Sequence, residues 1–369
     1  MNLANSYKCT GCGACYSVCP HHAIVMRPDK NGFLYPEIQK QKCVECGLCK
    51  DVCHVLKSPA PKSPKSCYVA ETQNRELHIA SSSGGIFGEL ALSILRQGGY
   101  VAGCGWDKKM QARHTVVNNK KELTELFCSK YVQSDIGDTL IDVKKLISAD
   151  KRVLFSGTPC QIAGLKRYLG KEYDNLLTVE VICHGVPSPG VFEKYKKSQE
   201  INNKERLIDI NFRSKERIYE TDYISLTFEN KKTKSMKSDD LFFKSFIRNL
   251  ILRESCFNCC SKDGKSGADI TLGDFWGIQK IFPEYHKNGH SAVIIRSEKG
   301  MRFWNAIKQN VTFREVSYEN ICKGNSTCRQ SVSKSLAYNF YMSSYKVLGL
   351  KWSFQSSLFL SKAKRVFFK

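Results

Sequence analysis

The chain has 369 residues, 42% of them hydrophobic and 25% charged, and its 57 Lys and Arg against 35 Asp and Glu give a formal net charge of +22. These values describe a globular protein with room for two or three domains, each with its own core. The sequence also argues against a transmembrane protein, because no apolar run approaches the roughly 20 residues that a spanning helix needs. The basic residues are dispersed and no helix shows a recognition pattern, which argues against nucleic acid as a partner.

The first predicted element is a pair of cysteine runs that share the spacing CxxCxxCxxxC. The cysteines are Cys9, Cys12, Cys15 and Cys19 in the first run and Cys43, Cys46, Cys49 and Cys53 in the second. Bacterial ferredoxins use this spacing to bind two 4Fe-4S clusters, each held by three cysteines of one run and the fourth of the other. The expected ligand sets are Cys9, Cys12 and Cys15 with Cys53, and Cys43, Cys46 and Cys49 with Cys19.

The residues around these cysteines fit tight ligand loops. Gly11, Gly13 and Gly47 give the backbone freedom beside the ligands, whereas Pro20 turns the chain away after the first run. His54 stands where the second run usually has proline, which changes a turn residue and not a ligand. Zinc is the alternative, since CxxC pairs also bind zinc, but the duplicated pattern of three plus one cysteines favours iron-sulfur clusters. Because such clusters need reduced thiols and no apolar signal segment opens the chain, we expect a cytoplasmic protein.

After this dicluster module, residues 1–57, the chain changes character twice. Residues 58–66, SPAPKSPKS, predict an extended linker. Beyond the linker, buried strands such as YVAGCGW, HTVVN, KRVLFSG, LLTVEV, SAVIIRS and VTFREV alternate with helices, among them FFKSFIRNLILRESC, with an antiparallel excursion at LIDINFRS and YISLTFEN. We divide this part into 67–150, 151–320 and a basic, aromatic tail, 321–369. The predicted fold class is an α+β ferredoxin-like dicluster module followed by an α/β domain with a mainly parallel or mixed sheet.

The predicted topology would bring a third group of cysteines together. Cys160 comes just after the strand VLFSG, and Cys183 ends the strand VEVI, so parallel neighbours would bring both thiols to one sheet edge, beside helix N-termini that favour thiolates. Cys256 and Cys259 form a CxxC pair that could reach this edge, although Cys260 could replace Cys259. The four thiolates suit a third 4Fe-4S cluster or a zinc ion. The remaining cysteines are expected in the core: Cys67, Cys104, Cys128, Cys322 and Cys328.

Two segments are candidates for binding a flavin. The turn Ser81, Ser82, Ser83, Gly84 and Gly85 precedes a helix and could bind phosphate through hydroxyls, backbone N–H groups and the helix dipole. The second segment offers Lys130 for a phosphate or a flavin carbonyl, Tyr131 as a stacking ring, Gln133 as an amide, and Ser134. A helix cap and a surface loop are the structural alternatives. A flavin would let the protein couple one-electron to two-electron chemistry.

Together these motifs resemble the beta subunit of coenzyme F-420 hydrogenases and dehydrogenases. The resemblance rests on SSSGGIFGELA, SKYVQS, GTPCQIAGL, ICHG followed by PS, and CxxC followed by ADITLGDFWG, in the family's order, and many relatives carry a dicluster module in front. It implies FAD between a cluster and a substrate pocket, passing hydride to or from a deazaflavin or a similar organic acceptor. It also places the flavin at 81–85 and 130–134, and a third cluster on Cys160, Cys183, Cys256 and Cys259.

The leading hypothesis is therefore an iron-sulfur flavoenzyme that exchanges electrons with a redox partner protein or a small-molecule acceptor. The resemblance extends to bacterial members that act outside deazaflavin metabolism, including alongside surface-polysaccharide biosynthesis. The alternative is a non-enzymatic electron-carrier subunit that feeds a partner oxidoreductase. No catalytic residue is assigned, although His184 is the best titratable candidate near the flavin.

The tail combines aromatic and basic residues and contains no acidic residue after Glu319. Such a segment could lie in a membrane interface or dock on the protein's own surface as a terminal helix. The residues concerned are Lys351, Trp352, Phe354, Leu358, Phe359, Leu360, Lys362, Lys364, Arg365, Phe367, Phe368 and Lys369.

Overall fold

The computed structural model of the chain describes residues 3–215, 219–286 and 289–367, with side chains described to residue 361. The helices are α1 (Ala14–Val18), α2 (Leu48–Asp51), α3 (Arg75–Ala80), α4 (Ile86–Arg96), α5 (Lys120–Leu123), α6 (Thr139–Ser148), α7 (Pro159–Leu169), α8 (Pro189–Asn203), α9 (Leu241–Ile247), α10 (Glu298–Ile307), α11 (Tyr318–Gly324) and α12 (Tyr338–Phe367). The strands are β1 (Ile24–Pro28), β2 (Leu34–Ile38), β3 (Ser66–Thr72), β4 (Tyr100–Trp106), β5 (Ala112–Val117), β6 (Val153–Gly157), β7 (Leu176–Val181), β8 (Leu207–Ser214), β9 (Tyr223–Phe228), β10 (Lys232–Met236), β11 (Ile270–Asp274), β12 (Ser291–Ile295) and β13 (Val311–Glu315).

The dicluster domain is built on the antiparallel pair β1 and β2 and the short helices α1 and α2. Each helix begins inside a cysteine run, directly after a glycine in the left-handed conformation, Gly13 with φ 76° and Gly47 with φ 84°. Residues with a Cβ adopt this conformation at a cost. These glycines therefore allow the tight loops that the sequence predicts around the ligands.

The large domain is organised around one eight-stranded sheet with the order β13-β3-β12-β11-β7-β6-β4-β5. The four central strands, β11, β7, β6 and β4, are parallel, and the outer strands pair in antiparallel fashion. Together with the α+β dicluster domain, this mixed sheet confirms the predicted fold class. The sheet takes strands from both sides of the predicted boundary at residue 150.

The central strands are covered on both faces, which explains their continuous apolar sequences. Leu154 of β6 and Leu177 of β7 pack into one hydrophobic cluster, and their neighbours Phe155 and Leu176 pack into another. Strands β6 and β7 are parallel neighbours, as predicted. The turns that follow them, before α7 and α8, therefore leave the sheet at the same edge.

The antiparallel excursion forms a separate sheet with the order β10-β9-β8. The sequence predicted β8 and β9 but not β10, which is mostly exposed. The helix predicted for FFKSFIRNLILRESC is too long: α9 ends at Ile247, and Asn249 has φ 58°. The apolar residues that follow, from Leu250 to Leu252, are buried without being helical. Their burial explains why these residues are hydrophobic although they do not form a helix.

The dicluster domain packs closely on the large domain. Helix α1 contacts α7, and a Cβ added to Gly164 of α7 would lie 2.8 Å from Cys12 Sγ. The fully buried Arg253 donates to the carbonyl oxygens of Cys9 and Leu34, at 2.9 and 3.0 Å. In the linker, Lys62 forms an ion pair of 3.0 Å with the buried Asp269.

The tail docks on the protein's own surface in the part that is described. Helix α12 is broken at Gly349, and Tyr341, Tyr345 and Phe354 are buried in the hydrophobic cluster beside α8 and α9. Trp352 stays exposed. In the described residues, no helix combines the length and hydropathy that crossing a membrane requires. Phe368 and Lys369 lie outside the described residues, as do the side chains from Lys362 onward.

Candidate functional site

The first expected ligand set comes together where α1 meets α7. Burial, together with the nearby thiols of Cys9 and Cys53, raises the pKa of the Cys12 thiol to about 12. Burial and the thiols of Cys12, Cys9 and Cys53 likewise raise the pKa of Cys15 well above its usual value. Cys53 of the second run is thus a neighbour of three cysteines of the first run, the arrangement that the spacing predicts.

The second expected set lies nearer the surface. Cys19, Cys43, Cys46 and Cys49 line one small cavity, and Cys46 is exposed. Burial raises the pKa of Cys49, with contributions from the other three thiols. The dicluster domain therefore has one cysteine set against the large domain and one open towards solvent.

The third group of cysteines also converges. Burial raises the pKa of Cys160 well above its usual value, and the nearby thiols of Cys259, Cys183 and Cys256 act in the same direction. This is the opposite of the predicted effect of the helix N-terminus, because desolvation of a thiolate outweighs the helix dipole. In the described part of the chain, no three His, Cys, Asp or Glu side chains are grouped so as to hold a single metal ion. The four thiols are a chemically suitable donor set for a 4Fe-4S cluster.

Cys260 points elsewhere, towards the dicluster domain. Its Sγ lies 3.8 Å from Nδ1 of His54, which is 1% exposed. The other ring nitrogen, Nε2, lies 2.9 Å from Oγ1 of Thr10, and Ser261 Oγ lies 3.3 Å from Nδ1. His54, which the sequence treated as a turn residue, therefore connects the ligand loops of the first set to the CxxC loop of the third group.

A cavity of about 320 Å³ lies beside the third cysteine group. Both segments that the sequence predicts for a flavin contribute to its wall, together with the turns after β6 and β7. Of the predicted residues, those in the wall are Ser81, Ser82, Ser83, Gly85, Lys130, Tyr131, Ser134, Cys183 and His184. Gly84 and Gln133 are not in the wall.

The serine turn is held rigidly by the rest of the protein. Ser81 Oγ donates to the carbonyl of Leu77, and Ser83 Oγ donates to the carbonyl of His290. Ser82 Oγ accepts from the backbone N–H of Ser129, which joins the two predicted flavin segments. The hydroxyls are thus largely used within the protein, and the N-terminus of α4, which begins after Gly85, remains as the feature that suits a phosphate.

The second segment divides between two environments. Lys130 Nζ donates to the carbonyls of Glu125 and Phe127, and burial lowers its pKa. The ring of Tyr131 stacks on Phe246 with a centroid separation of 4.9 Å. Gln133 turns away from the cavity because its amide accepts from Arg253, at 3.0 Å, and from the backbone of the dicluster domain.

His184 lies in the cavity wall at the turn after β7. Its Nε2 is 2.7 Å from Asn249 Oδ1, so Nε2 carries the proton and donates it to the amide oxygen. The ring packs edge-on against Phe246, at 4.9 Å between centroids. Burial lowers the pKa of His184, so its imidazole is neutral at pH 7.

Two family models match the chain. Residues 150–320 match the C terminus of the beta subunit of coenzyme F420 hydrogenase/dehydrogenase, and residues 8–56 match the 4Fe-4S dicluster domain. The chain is a relative of these beta subunits. The predicted resemblance is confirmed, and the chain is an iron-sulfur redox protein.

Among solved structures, a chain of the F420-reducing NiFe hydrogenase complex from Methanosarcina barkeri, studied by xenon derivatization, is similar to this beta-subunit relative. The two are 15% identical with a TM-score of 0.49, and the alignment covers 73% of this chain and 91% of that chain. No curated protein matches the chain.

Sequence reasoning missed several polar residues in the cavity wall of this beta-subunit relative, among them His114, Gln161, Arg213 and Asp274. His114 lies on β5, and in the sequence it is only one residue of the predicted buried strand HTVVN. Arg213 and Asp274 lie on strands of different sheets and form an ion pair through two contacts of 2.7 Å. In the sequence, one pattern alone indicates Arg213 and Asp274: each is a charged residue near the end of a largely apolar strand.

His114 makes the stability of the protein depend on pH. Its Nε2 lies 3.1 Å from the carbonyl oxygen of Ser156 and its Nδ1 lies 3.0 Å from Ser134 Oγ, and burial lowers its pKa to about 4. Below the unfolded pKa of about 6.5, the unfolded state binds the proton and the folded state does not, so stability falls as the pH drops towards 4.

The free energy of unfolding of the wild type should fall between pH 8 and pH 5.5. We expect this fall to be smaller by about 1 kcal/mol in His114→Gln, which has no imidazole to protonate in the unfolded state. Chemical denaturation of the variant and the wild type at both pH values measures this. His21→Gln, which changes an exposed histidine, is the control and should retain the wild-type dependence. Identical pH dependence in the His114 variant would contradict the role given to this residue.

Proposed function

We propose that this chain is an iron-sulfur flavoprotein oxidoreductase that holds FAD in the cavity and exchanges hydride with a deazaflavin-like or other organic acceptor. One observation carries the proposal: a single cavity of about 320 Å³ is walled by both predicted flavin segments and by Cys183 of the third cysteine group. Electrons enter or leave through the dicluster domain, whose second cysteine set is open towards solvent.

The residues of the cavity suit a flavin. Apolar side chains, among them Phe87, Val179 and Leu272, offer a surface for a ring system, whereas Lys130 and Arg213 bring positive charge to the same wall. The N-terminus of α4 favours a negatively charged group. When bound, FAD supplies the exchange between single electrons and electron pairs that iron-sulfur clusters lack.

The residues proposed to hold a third cluster are Cys160, Cys183, Cys256 and Cys259. They belong to two turns at one sheet edge and to the loop after α9, so the fold of the large domain brings them together. Thr158 and Cys183 also line the cavity. The wall of the proposed flavin site is therefore also part of the proposed cluster site.

His184 is the residue of this chain best placed to hold a proton at the cavity. Asn249 accepts from Nε2, which leaves Nδ1 of the neutral ring as a proton acceptor. The contact with Phe246 fixes the ring plane. We propose that Nδ1 takes up or returns a proton when the substrate changes its charge.

The acceptor would enter where the cavity meets solvent. Ile247 and Trp276 line the cavity and are 47% and 43% exposed, so they form an apolar mouth. A role in surface-polysaccharide biosynthesis rests on the family resemblance alone. Contact of the tail with a membrane surface is supported only by the exposed aromatic rings of Trp352 and Phe359, which are 67% and 73% exposed.

Filling the cavity tests the proposal. Val181 ends β7 in the cavity wall, so Val181→Trp should weaken FAD binding by roughly tenfold or more, which corresponds to about 1.4 kcal/mol. Titration of flavin-depleted protein with FAD, followed by flavin fluorescence, measures this. Ile201→Trp places the same ring at an exposed position of α8 outside the cavity and should bind FAD as the wild type does. Equal FAD affinity in both variants would contradict the site, and no flavin binding to the wild type would favour the electron-carrier alternative.

A further inference from the structure

The second cysteine set opens onto an exposed face of the dicluster domain. Cys46 is exposed, and the residues two positions before and after it, Val44 and Leu48, are 59% and 40% exposed. Both apolar side chains also line the small cavity that the four cysteines of this set share. A protein that bound here would bury both side chains and would come into contact with the cysteines.

Lysine residues precede and follow these apolar residues in the chain. Lys40 and Lys42 come before Cys43, and Lys50 follows Cys49 in α2, and all three lysines are exposed. Among the residues that the structure describes, none of the three forms an ion pair. Their charges are therefore available to a partner that approaches the second cysteine set.

The positive charge of this face exceeds its negative charge. Two carboxylates share the stretch, Glu45 and Asp51, and Arg167 of α7 donates to the carbonyl oxygen of Asp51. Three lysines and this arginine against two carboxylates leave two positive charges, and the whole chain carries +22. A second copy of this chain would be repelled by such a charge, whereas an acidic protein would be attracted.

The small apolar area of this face suits a partner that binds briefly. Weak complexes between redox proteins bury less than about 1,200 Å² of surface in total, and charge complementarity makes their association fast. Electrons pass only between redox centres that come close to each other. Because Cys46 is exposed, a partner on this face would approach the second cysteine set without any rearrangement of the chain.

We propose that the face formed by Lys40, Lys42, Val44, Leu48 and Lys50 is the docking site of a small acidic electron-carrier protein. Carboxylates of the carrier contact the three lysines, and its apolar surface around the redox centre packs on the two apolar side chains. At each encounter the reduced carrier loses one electron and the dicluster domain gains it. This inference rests on the proposed entry of electrons through the dicluster domain and not on flavin binding in the large domain.

The test follows electron transfer from a reduced acidic flavodoxin to the anaerobically purified protein. The flavodoxin hydroquinone becomes the coloured semiquinone when it loses one electron, so stopped-flow absorbance gives the second-order rate constant. At low ionic strength, Lys42→Glu and Lys50→Glu should each lower this rate constant by about tenfold, because charge steers the association. The loss should become smaller in concentrated salt, which screens exposed charges.

Two further variants separate the effect of charge from that of apolar contact. Lys121→Glu makes the same change of charge at an exposed position of α5 in the large domain and should keep the wild-type rate constant. Val44→Ser should lower the rate constant at low and high salt alike. Each variant, reduced with dithionite, should give the wild-type electron paramagnetic resonance spectrum, which shows that its clusters are intact.

Three results would overturn the docking site. The first is a wild-type rate constant in both lysine variants at low salt, or an equal loss in Lys121→Glu. The second is self-association of the wild type that Val44→Ser abolishes, which would assign the face to a second copy of the chain. The third is wild-type protein whose clusters are reduced by dithionite but not by flavodoxin. FAD binding is measured separately by titration, so none of these results decides whether the cavity holds a flavin.

Discussion

Cys160→Ser should lower the iron content of anaerobically purified protein by about four irons per chain, from about twelve to about eight, because a 4Fe-4S cluster depends on its cysteine thiolates. Cys160 is the first cysteine of the third group, and the three other thiols of the group surround it. The eight cysteines of the dicluster domain are untouched by this change, so their clusters should remain. Iron and sulfide assays, with the electron paramagnetic resonance spectrum of the reduced protein, measure the loss.

Cys260→Ser is the matched control for this experiment. Cys260 neighbours Cys259 in the chain, but its thiol lies beside His54. The control should therefore retain about twelve irons per chain, the content of three 4Fe-4S clusters. Wild-type protein with only about eight irons, or loss of iron from the Cys260 variant instead of the Cys160 variant, would contradict the proposed ligand set.

Gly164→Ala should weaken the packing of the dicluster domain on the large domain by about 1–3 kcal/mol, the usual cost of overpacking a close contact. The added methyl group would lie 2.8 Å from Sγ and 2.9 Å from Cβ of Cys12. Helix α7 cannot yield easily, because its other face is buried against the sheet. The linker should become open to protease, which limited proteolysis at residues 58–66 detects.

Gly88→Ala is the control for this prediction. Gly88 lies in α4, and its added methyl group would meet Leu77 at 2.5 Å in the core of the large domain. Both substitutions gain the same helix propensity, so a difference between them reports the domain contact. Equal protection of the linker in the Gly164 variant and the wild type would show that α1 does not depend on this close approach.

Local patterns in the sequence predicted the fold correctly where neighbouring residues determine it. Three cysteines spaced for one cubane must form a loop, and the strand endings at Cys160 and Cys183 follow from two similar strand-turn-helix units. Parallel pairing of β6 and β7 then brings both turns to one edge. For these residues, chain order and the rules of α/β topology contain the needed information.

The sequence was less informative where distant segments meet. Arg213 Nη2 and Lys215 Nζ donate to the carbonyl oxygens of Ser82 and Ser83 in the serine turn. The register of the three-stranded sheet brings them there, and no local pattern fixes that register. Gln133 looked like its neighbours, yet Arg253 and the dicluster domain hold it away from the cavity. His54 read as a turn residue because two of its partners, Cys260 and Ser261, lie about two hundred positions away. These contacts arise from domain packing, so composition and spacing cannot reveal them.

The most direct test of the central proposal is the content of flavin, iron and sulfide per chain after anaerobic purification. The proposal predicts one FAD per chain together with about twelve irons and a similar amount of sulfide, the content of three 4Fe-4S clusters. Protein with iron and sulfide but no flavin, even after incubation with FAD, would contradict a flavoenzyme and leave an electron carrier.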